Sequence, residues 1–147
     1  MQISPQSRST FPVGVTTLVI RDGKILLGKR KGVHGDGCWA LPGGHLERKE
    51  PMELAAKREL FEETGLIAER VLFHVLVNHP NRLDSDHYVH VGFLAEGVAG
   101  EVQNKEPDKC SEWGWFLLSA LPSPIYFSHG EIIQAFRDGN AFKNISE

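Results

Sequence analysis

The sequence contains no long hydrophobic run and only two cysteines among its 147 residues. A membrane-spanning helix needs about 18 consecutive apolar residues, so we expect no membrane-spanning segment. Cys38 and Cys110 lie far apart and form no Cys-x-x-Cys pair, which favours reduced thiols in a cytoplasmic protein over a disulfide. Residues 1–10 are polar and lack the apolar centre of a signal peptide, so we expect a flexible tail there.

A large excess of charge is missing as well. The formal net charge is −3 and 24% of the residues are charged, so no broad basic surface would attract nucleic acid or an anionic membrane. The hydrophobic fraction of 41% is ordinary for a globular protein. The length suits one domain with its own core, and the chain contains no repeat or linker. We therefore expect a single domain over residues 1–147, with neither nucleic acid nor a membrane as a partner.

Apolar and β-branched residues in short runs predict a set of strands. Asp22-Gly23 predicts a hairpin turn between the first two strands. Ser128 and Glu131 fit a capping box at the start of a short C-terminal helix. Together the elements predict an α/β protein in which helices pack on a mixed sheet. The predicted strands cover residues 13–20, 24–30, 66–79, 87–97 and 113–118, and a polar loop is expected at 98–112.

A longer helix is predicted over residues 51–64. Pro51 suits its first turn and Gly65 suits the position just past its end. On a helical wheel, Leu54 and Phe61 fall close together, so we expect them to form the side that packs on the sheet.

Three glutamates crowd the last turn of this helix. Glu59, Glu62 and Glu63 lie within an arc of about 100°, where like charges repel and the helix dipole also disfavours anions. A divalent cation such as Mg²⁺ or Mn²⁺ prefers oxygen ligands and would relieve the repulsion. The wheel alone equally allows a solvated acidic face in which Arg58 pairs with Glu62.

The residues around these glutamates follow a longer pattern. The chain reads Gly, five residues, Glu, seven residues, Arg-Glu-apolar, one residue, Glu-Glu, one residue, Gly-apolar. This stretch resembles the Nudix box, the signature of the Nudix (MutT-like) hydrolases, and the similar order of elements extends over residues 12–138. The fixed positions are filled by Gly44, Glu50, Arg58, Glu59, Leu60, Glu62, Glu63, Gly65 and Leu66.

The resemblance implies both a fold and a chemistry. The fold would be an α/β/α sandwich built on a mixed sheet. The reaction would be hydrolysis of a diphosphate bond in a nucleoside diphosphate linked to another group, with Mg²⁺ as cofactor and Mn²⁺ as an alternative. By this resemblance Glu59 and Glu63 would be the chief metal ligands. Glu62 would be a further ligand or hold a metal-bound water, and the carbonyl of Gly43 would complete the site.

The resemblance implies further roles near the helix. Arg58 would orient the glutamates through salt bridges, with Glu50 as its partner. Some Nudix enzymes take an additional metal ligand or the general base from a later loop. Glu106 is our candidate for that role, whereas Glu112 is expected to be only solvated. Lys49 departs from the pattern, because the family commonly has glycine there.

The substrate site is predicted from one arginine and from a closer resemblance. The guanidinium of Arg30 could meet two phosphate oxygens at once. The segments "LLGKRKG", "LPGGHLE", "HYV" and "EPDKC" resemble the branch of Nudix enzymes that cleave nucleoside triphosphates to monophosphates, often as homodimers. By that comparison Leu41, His90 and Phe127 would line the base pocket. We place Gly44 with the substrate-binding residues.

The predicted reaction is therefore conversion of a (deoxy)nucleoside triphosphate to the monophosphate and pyrophosphate. We expect modified nucleotides to be among the substrates. Two alternatives stay open at this point. The substrate could be ADP-ribose or a diphosphate that is not a nucleotide. The chain could also be a catalytically silent nucleotide-binding module, although such domains often lose box glutamates and this chain has kept them.

Overall fold

The computed structural model describes residues 10–80 and 87–145. The flexible tail expected at residues 1–10 falls almost entirely outside these ranges. Within them the chain forms nine strands and two helices. In chain order they are β1 (Val13–Leu18), β2 (Ile20–Arg21), β3 (Lys24–Arg30), β4 (Trp39–Ala40), β5 (Gly43–His45), α1 (Met52–Thr64), β6 (Ile67–His79), β7 (Tyr88–Ala99), β8 (Cys110–Leu117), α2 (His129–Asp138) and β9 (Phe142–Asn144).

The strands form two sheets. The first has the order β5-β1-β7-β6-β9 and is mixed, because β1 runs parallel to β7 whereas β6 and β7 are antiparallel. In the second sheet β3 pairs antiparallel with β2, β4 and β8. Strand β8 begins at Cys110, so the loop expected at 98–112 is shorter than predicted.

The strand predicted at residues 13–20 is in fact divided between the two sheets. The chain leaves the first sheet after β1, and the carbonyl of Val19 accepts a hydrogen bond from the N–H of Leu26 before β2 pairs with β3. Asp22 and Gly23 then form the predicted hairpin turn with φ angles of 54° and 74°. Both angles are positive, as the common two-residue hairpin turn requires.

Two hydrophobic clusters lie on opposite faces of the mixed sheet. Successive side chains of a strand point to opposite faces, and along β1 Val15 belongs to the cluster under α1 while Leu18 belongs to the cluster under α2. The two helices therefore cover opposite sides, which is the predicted α/β/α arrangement. Neither described helix is long and apolar enough to cross a membrane.

Helix α1 ends where predicted and begins one residue later, with Pro51 as its N-cap, but its packing side is not the predicted one. Gly65 ends it with φ 77°, and its N–H donates to the carbonyl of Phe61. Leu54 and Phe61 are 57% and 46% exposed, so the prediction that they pack on the sheet was wrong. Small alanine side chains face the sheet instead and allow a close approach of helix and strands. The buried residues of α1 are Ala55, Ala56, Leu60 and Thr64.

Helix α2 forms without the predicted capping box. Ser128 has helical dihedral angles and makes no side-chain cap, and its hydroxyl hydrogen-bonds Nδ1 of His79 at 3.2 Å. The carboxylate of Glu131 accepts a hydrogen bond from Lys143 of β9. Both polar groups are thus used by tertiary contacts, which a local capping motif does not encode.

We predict that Leu60 and Leu54 differ sharply in their contribution to stability. Leu60 is fully buried, so Leu60→Ala should lower the free energy of unfolding by about 2–5 kcal/mol. The matched control Leu54→Ala changes an exposed position of the same helix and should stay within about 0.5 kcal/mol of the wild type. Urea denaturation measures both, and equal losses would contradict the observed packing of α1.

Candidate active site

Arg58 organises the acidic end of α1. Its Nε and Nη2 donate to the two carboxylate oxygens of Glu50, at 2.6 and 2.9 Å. Its Nη1 donates to Glu59 at 2.8 Å and to Glu62 at 3.3 Å. The hydrogen bonds between Arg58 and Glu50 change the pKa of both groups. They hold the pKa of the Glu50 carboxyl below its usual value and raise the pKa of Arg58 above its usual range. Glu50 is therefore the partner of Arg58, and Glu59 is oriented by the same guanidinium.

Two glycines bring the backbone of β5 against this helix. The N–H of Gly43 donates to a carboxylate oxygen of Glu63 at 2.8 Å. A Cβ atom on Gly44 would lie 2.5–2.8 Å from the carboxylate of Glu59, and one on Gly43 would collide with the carbonyl of Val15. Only glycine permits so close an approach. Pairing with β1 holds the two glycines in register with Val15 and Thr16.

The loop before β8 is attached to the end of the same helix. The N–H groups of Gln103 and Lys105 donate to the carbonyls of Thr64 and Glu63, at 2.9 and 3.2 Å. Carbonyls in the last turn of a helix have no partner within it, so these bonds satisfy them. The ammonium of Lys105 also lies 4.0 Å from the centre of the Phe61 ring. These contacts bring Glu106 to the cavity beside the helix.

The carboxylates in this region influence one another. Burial raises the pKa of the Glu63 carboxyl to about 8. The Gly43 N–H opposes that increase, whereas the charges of Glu59 and Glu106 add to it. Burial likewise raises the pKa of Glu59, against the hydrogen bond and charge of Arg58. In the metal-free protein Glu63 therefore holds its proton more tightly than an exposed glutamate does.

A cavity of about 450 Å³ opens beside these groups. It brings together most of the predicted site residues, although the sequence separates them widely. Phe127 is not among the lining residues, and its neighbour Tyr126 is. The predicted residues that line the cavity are Arg30, Leu41, Gly43, Gly44, Arg58, Glu59, Glu62, Glu63, His90 and Glu106.

Arg30 is held at the cavity by two contacts. Its guanidinium lies 4.1 Å from the centre of the Tyr126 ring, a cation–π geometry. Its Nε donates to the carbonyl of His34 at 2.6 Å. The positive charge of Arg30 also lowers the pKa of Glu63. The guanidinium thus stands between the ring-bearing part of the cavity and the carboxylates.

The opposite end of the cavity is lined by rings. Tyr88 and His90 stack with their centroids 4.2 Å apart, and the ring of His129 meets His90 and Tyr126 edge to face. The N–H of Leu41 donates to Nδ1 of His129 at 3.0 Å. The proton of the neutral His129 ring is consequently on Nε2.

Sequence reasoning did not identify Tyr88, Tyr126 or His129 as cavity residues. Tyr88 stands in the quoted segment "HYV" and could have been included from that resemblance. No local sequence pattern marks His129 as a cavity residue. It reaches the cavity because the segment before it, residues 124–126, is held there by backbone hydrogen bonds with Trp39. Those bonds join segments that are about 85 residues apart in the sequence.

The donor atoms of the site suit a hard divalent cation. Carboxylate and carbonyl oxygens are the ligands that Mg²⁺ and Mn²⁺ prefer. Within residues 10–80 and 87–145, no three Asp, Glu, His or Cys side chains converge into a preformed ligand set. Arg58 engages oxygens of Glu59 and Glu62, and Gly43 engages one of Glu63. The residues fit the cation chemically, and their side chains would give up part of these contacts to bind it.

Comparison with known proteins identifies the family. The NUDIX domain family matches residues 10–136. This chain belongs to the Nudix family. Among solved structures it is similar to a MutT NUDIX hydrolase from Burkholderia pseudomallei, with a TM-score of 0.79 and 38% identity over 84% of this chain and 95% of that one.

Two further Nudix relatives differ in what they act on. An ADP-ribose pyrophosphatase of Methanocaldococcus jannaschii is 37% identical over 124 residues, which are 84% of this chain and 72% of the relative. An oxidized purine nucleoside triphosphate hydrolase of Mus musculus is 33% identical over 119 residues, which are 78% of this chain and 71% of the relative. The resemblance, the α/β fold class and the prediction of an enzyme are confirmed. The chain is a Nudix hydrolase of nucleoside diphosphate-X substrates, and such hydrolases use a divalent metal.

We predict that Glu63 makes the metal-free enzyme less stable as the pH rises. Folding raises the pKa of this carboxyl from 4.5 to about 8, so its contribution to stability is complete below the lower value and is lost as the pH approaches the higher one. In EDTA, the melting temperature of the wild type should therefore fall between about pH 5 and pH 8 relative to that of Glu63→Gln. Parallel curves for the two proteins would contradict the assignment of a raised pKa to Glu63.

Proposed function

We propose that this Nudix enzyme is a Mg²⁺-dependent hydrolase that converts (deoxy)nucleoside triphosphates, including modified ones, to monophosphates and pyrophosphate. One observation carries the proposal. The carboxylates of Glu59, Glu63 and Glu106 line a single cavity whose other end is lined by aromatic and imidazole rings. Carboxylates suit a cation that binds phosphates, and ring faces suit a nucleobase.

The cation would be held by carboxylates of α1, with Glu59 and Glu63 as the chief ligands. Glu62 would serve as a further ligand or hold a water, and the carbonyl of Gly43 would complete the set. When bound, Mg²⁺ supplies charge neutralisation of the phosphates and polarisation of the phosphorus under attack. Mn²⁺ has a similar preference for oxygen ligands and could replace it.

The protein side chains would perform the remaining work. Arg30, which is already oriented by Tyr126, would bind phosphate oxygens with its guanidinium. Arg58 would keep Glu59 in place while also holding Glu50. Glu106 would accept a proton from the attacking water. Leu41 and His90 would contact the base, and Gly44 would let the substrate approach Glu59.

The role predicted for Phe127 has less structural support. Its ring stacks on His34 at 5.2 Å, while Tyr126 occupies the cavity lining. We therefore propose Tyr126 as the aromatic wall on this side of the base pocket. Phe127 would support the loop that carries His34.

ADP-ribose is the second candidate substrate, because a relative with that activity shares 37% identity over 84% of this chain. A diphosphate without a nucleoside would make less use of the rings that line the cavity. Two facts argue against a catalytically silent nucleotide-binding module. The chain belongs to a family of hydrolases, and it keeps the complete set of box glutamates. The homodimer, the cytoplasmic location and the single domain stay predictions.

A substrate panel tests the proposed reaction. Ordinary and oxidised (deoxy)nucleoside triphosphates should yield a nucleoside monophosphate and pyrophosphate with Mg²⁺ and none with EDTA. Hydrolysis in ¹⁸O-labelled water would show which phosphorus is attacked. Faster release of AMP and ribose 5-phosphate from ADP-ribose would favour the second candidate. No turnover of any nucleotide with either cation would refute the proposal.

We predict that Glu106 and Glu112 differ in their effect on catalysis. Glu106→Gln should lower kcat by roughly 10²–10⁴-fold, the contribution of a positioned general base, with a much smaller change in KM. Glu112→Gln alters an exposed carboxylate outside the cavity lining and should leave kcat within about twofold of wild type. Steady-state kinetics across pH measures both. Equal rates for the wild type and Glu106→Gln would exclude this role for Glu106.

A further inference from the structure

Thr16 of β1 presents an unusual polar group to the cavity. Its side chain is 2% exposed and lines the cavity, yet its hydroxyl has no hydrogen-bond partner within residues 10–80 and 87–145. Buried hydroxyls are nearly always hydrogen-bonded, because an unpaired one destabilises the folded state. A ligand in the cavity could supply the missing partner.

The adjacent Thr17 provides an internal comparison. It is 1% exposed, and its hydroxyl also lacks a partner in the part of the chain that the structure describes. Side chains alternate along a strand, so Thr17 shares its face with Val15 of the cluster under α1 and is absent from the cavity lining. The two threonines thus have the same chemistry and burial, and only Thr16 meets the cavity.

The sheet register locates Thr16 along the cavity. Gly14 lies two residues earlier on the same face, where a Cβ atom would be 2.9 Å from the Tyr88 ring and 3.1 Å from Nδ1 of His90. Thr16 pairs with Gly43, and its methyl group would be 2.9 Å from a Cβ atom built there. Thr16 therefore lies between the ring-lined end of the cavity and the glycine that binds Glu63.

We infer that the Thr16 hydroxyl binds a hydroxyl of the nucleotide sugar and so determines which sugar the enzyme accepts. The inference rests on the proposed function, because it requires the base at the rings and the phosphates at the carboxylates. In a nucleotide the sugar joins those two parts and must pass the position of Thr16. A threonine hydroxyl both donates and accepts hydrogen bonds, as a sugar hydroxyl does. A site that hydrogen-bonds a substrate hydroxyl discriminates against the analogue that lacks it.

The test measures metal-free binding of AMP, 2′-deoxy-AMP and 2′,3′-dideoxy-AMP, together with the corresponding guanosine series, by isothermal titration calorimetry. Wild type and Thr17→Val should lose about 3- to 10-fold in affinity when the contacted hydroxyl is removed. Thr16→Val should bind all members of a series equally, whereas Thr16→Ser keeps the hydroxyl and should restore the discrimination. The step at which affinity falls identifies the 2′- or the 3′-hydroxyl.

Melting temperatures of the ligand-free proteins control for folding. Both valine variants replace an unpaired buried hydroxyl by a methyl group of similar shape, so both should melt at or above the temperature of the wild type. If Thr16→Val keeps the wild-type discrimination, or if the wild type does not distinguish the sugars, the inference is overturned while nucleotide hydrolysis stands. Absence of both nucleotide binding and hydrolysis in the wild type would refute the proposed function and the inference together.

Discussion

Glu59, Glu63 and Glu106 line one cavity, where burial raises the pKa of Glu63 and the negative charges of the other two add to that increase. The carboxylates stay close because α1 carries Glu59 and Glu63 one helical turn apart, and the loop that carries Glu106 is hydrogen-bonded to the end of that helix. Helix α1 packs on the sheet through small alanine side chains, and Arg58 restrains Glu59. A divalent cation among these groups would replace repulsion with attraction, so the arrangement that is costly in the metal-free protein favours binding of the metal.

Contacts with two other segments anchor the last turn of α1 on both sides. On one side the glycines of β5 approach the helix so closely that Gly43 donates to Glu63. On the other side the loop before β8 satisfies the last carbonyls of the helix. One helical turn is thereby tied to two segments that are distant in the sequence. The box glutamates and Glu106 lie beside one another because both segments contact that turn.

Local patterns predicted well those features that depend on neighbours in the sequence. The limits of α1, the turn at Asp22-Gly23 and the spacing of the box glutamates follow from residues within a few positions of one another. Predictions that required knowledge of packing were wrong. The wheel placed Leu54 and Phe61 on one side of α1, but the sheet packs against the alanine side of the helix. Ser128 fitted a local cap, but its hydroxyl binds His79, which lies 49 residues earlier.

The sequence by itself determined the chemistry of the carboxylate turn, because residues three and four apart on a helix are neighbours in any fold that keeps the helix. Only the tertiary structure decided which other residues line the cavity with those carboxylates. Strand register places Thr16 at the cavity and turns Thr17 away, and a hydrogen bond across 88 residues brings His129 to Leu41. Such placements depend on which strands pair and in which register. A shift of one residue would exchange the two faces of a strand while leaving every local pattern unchanged.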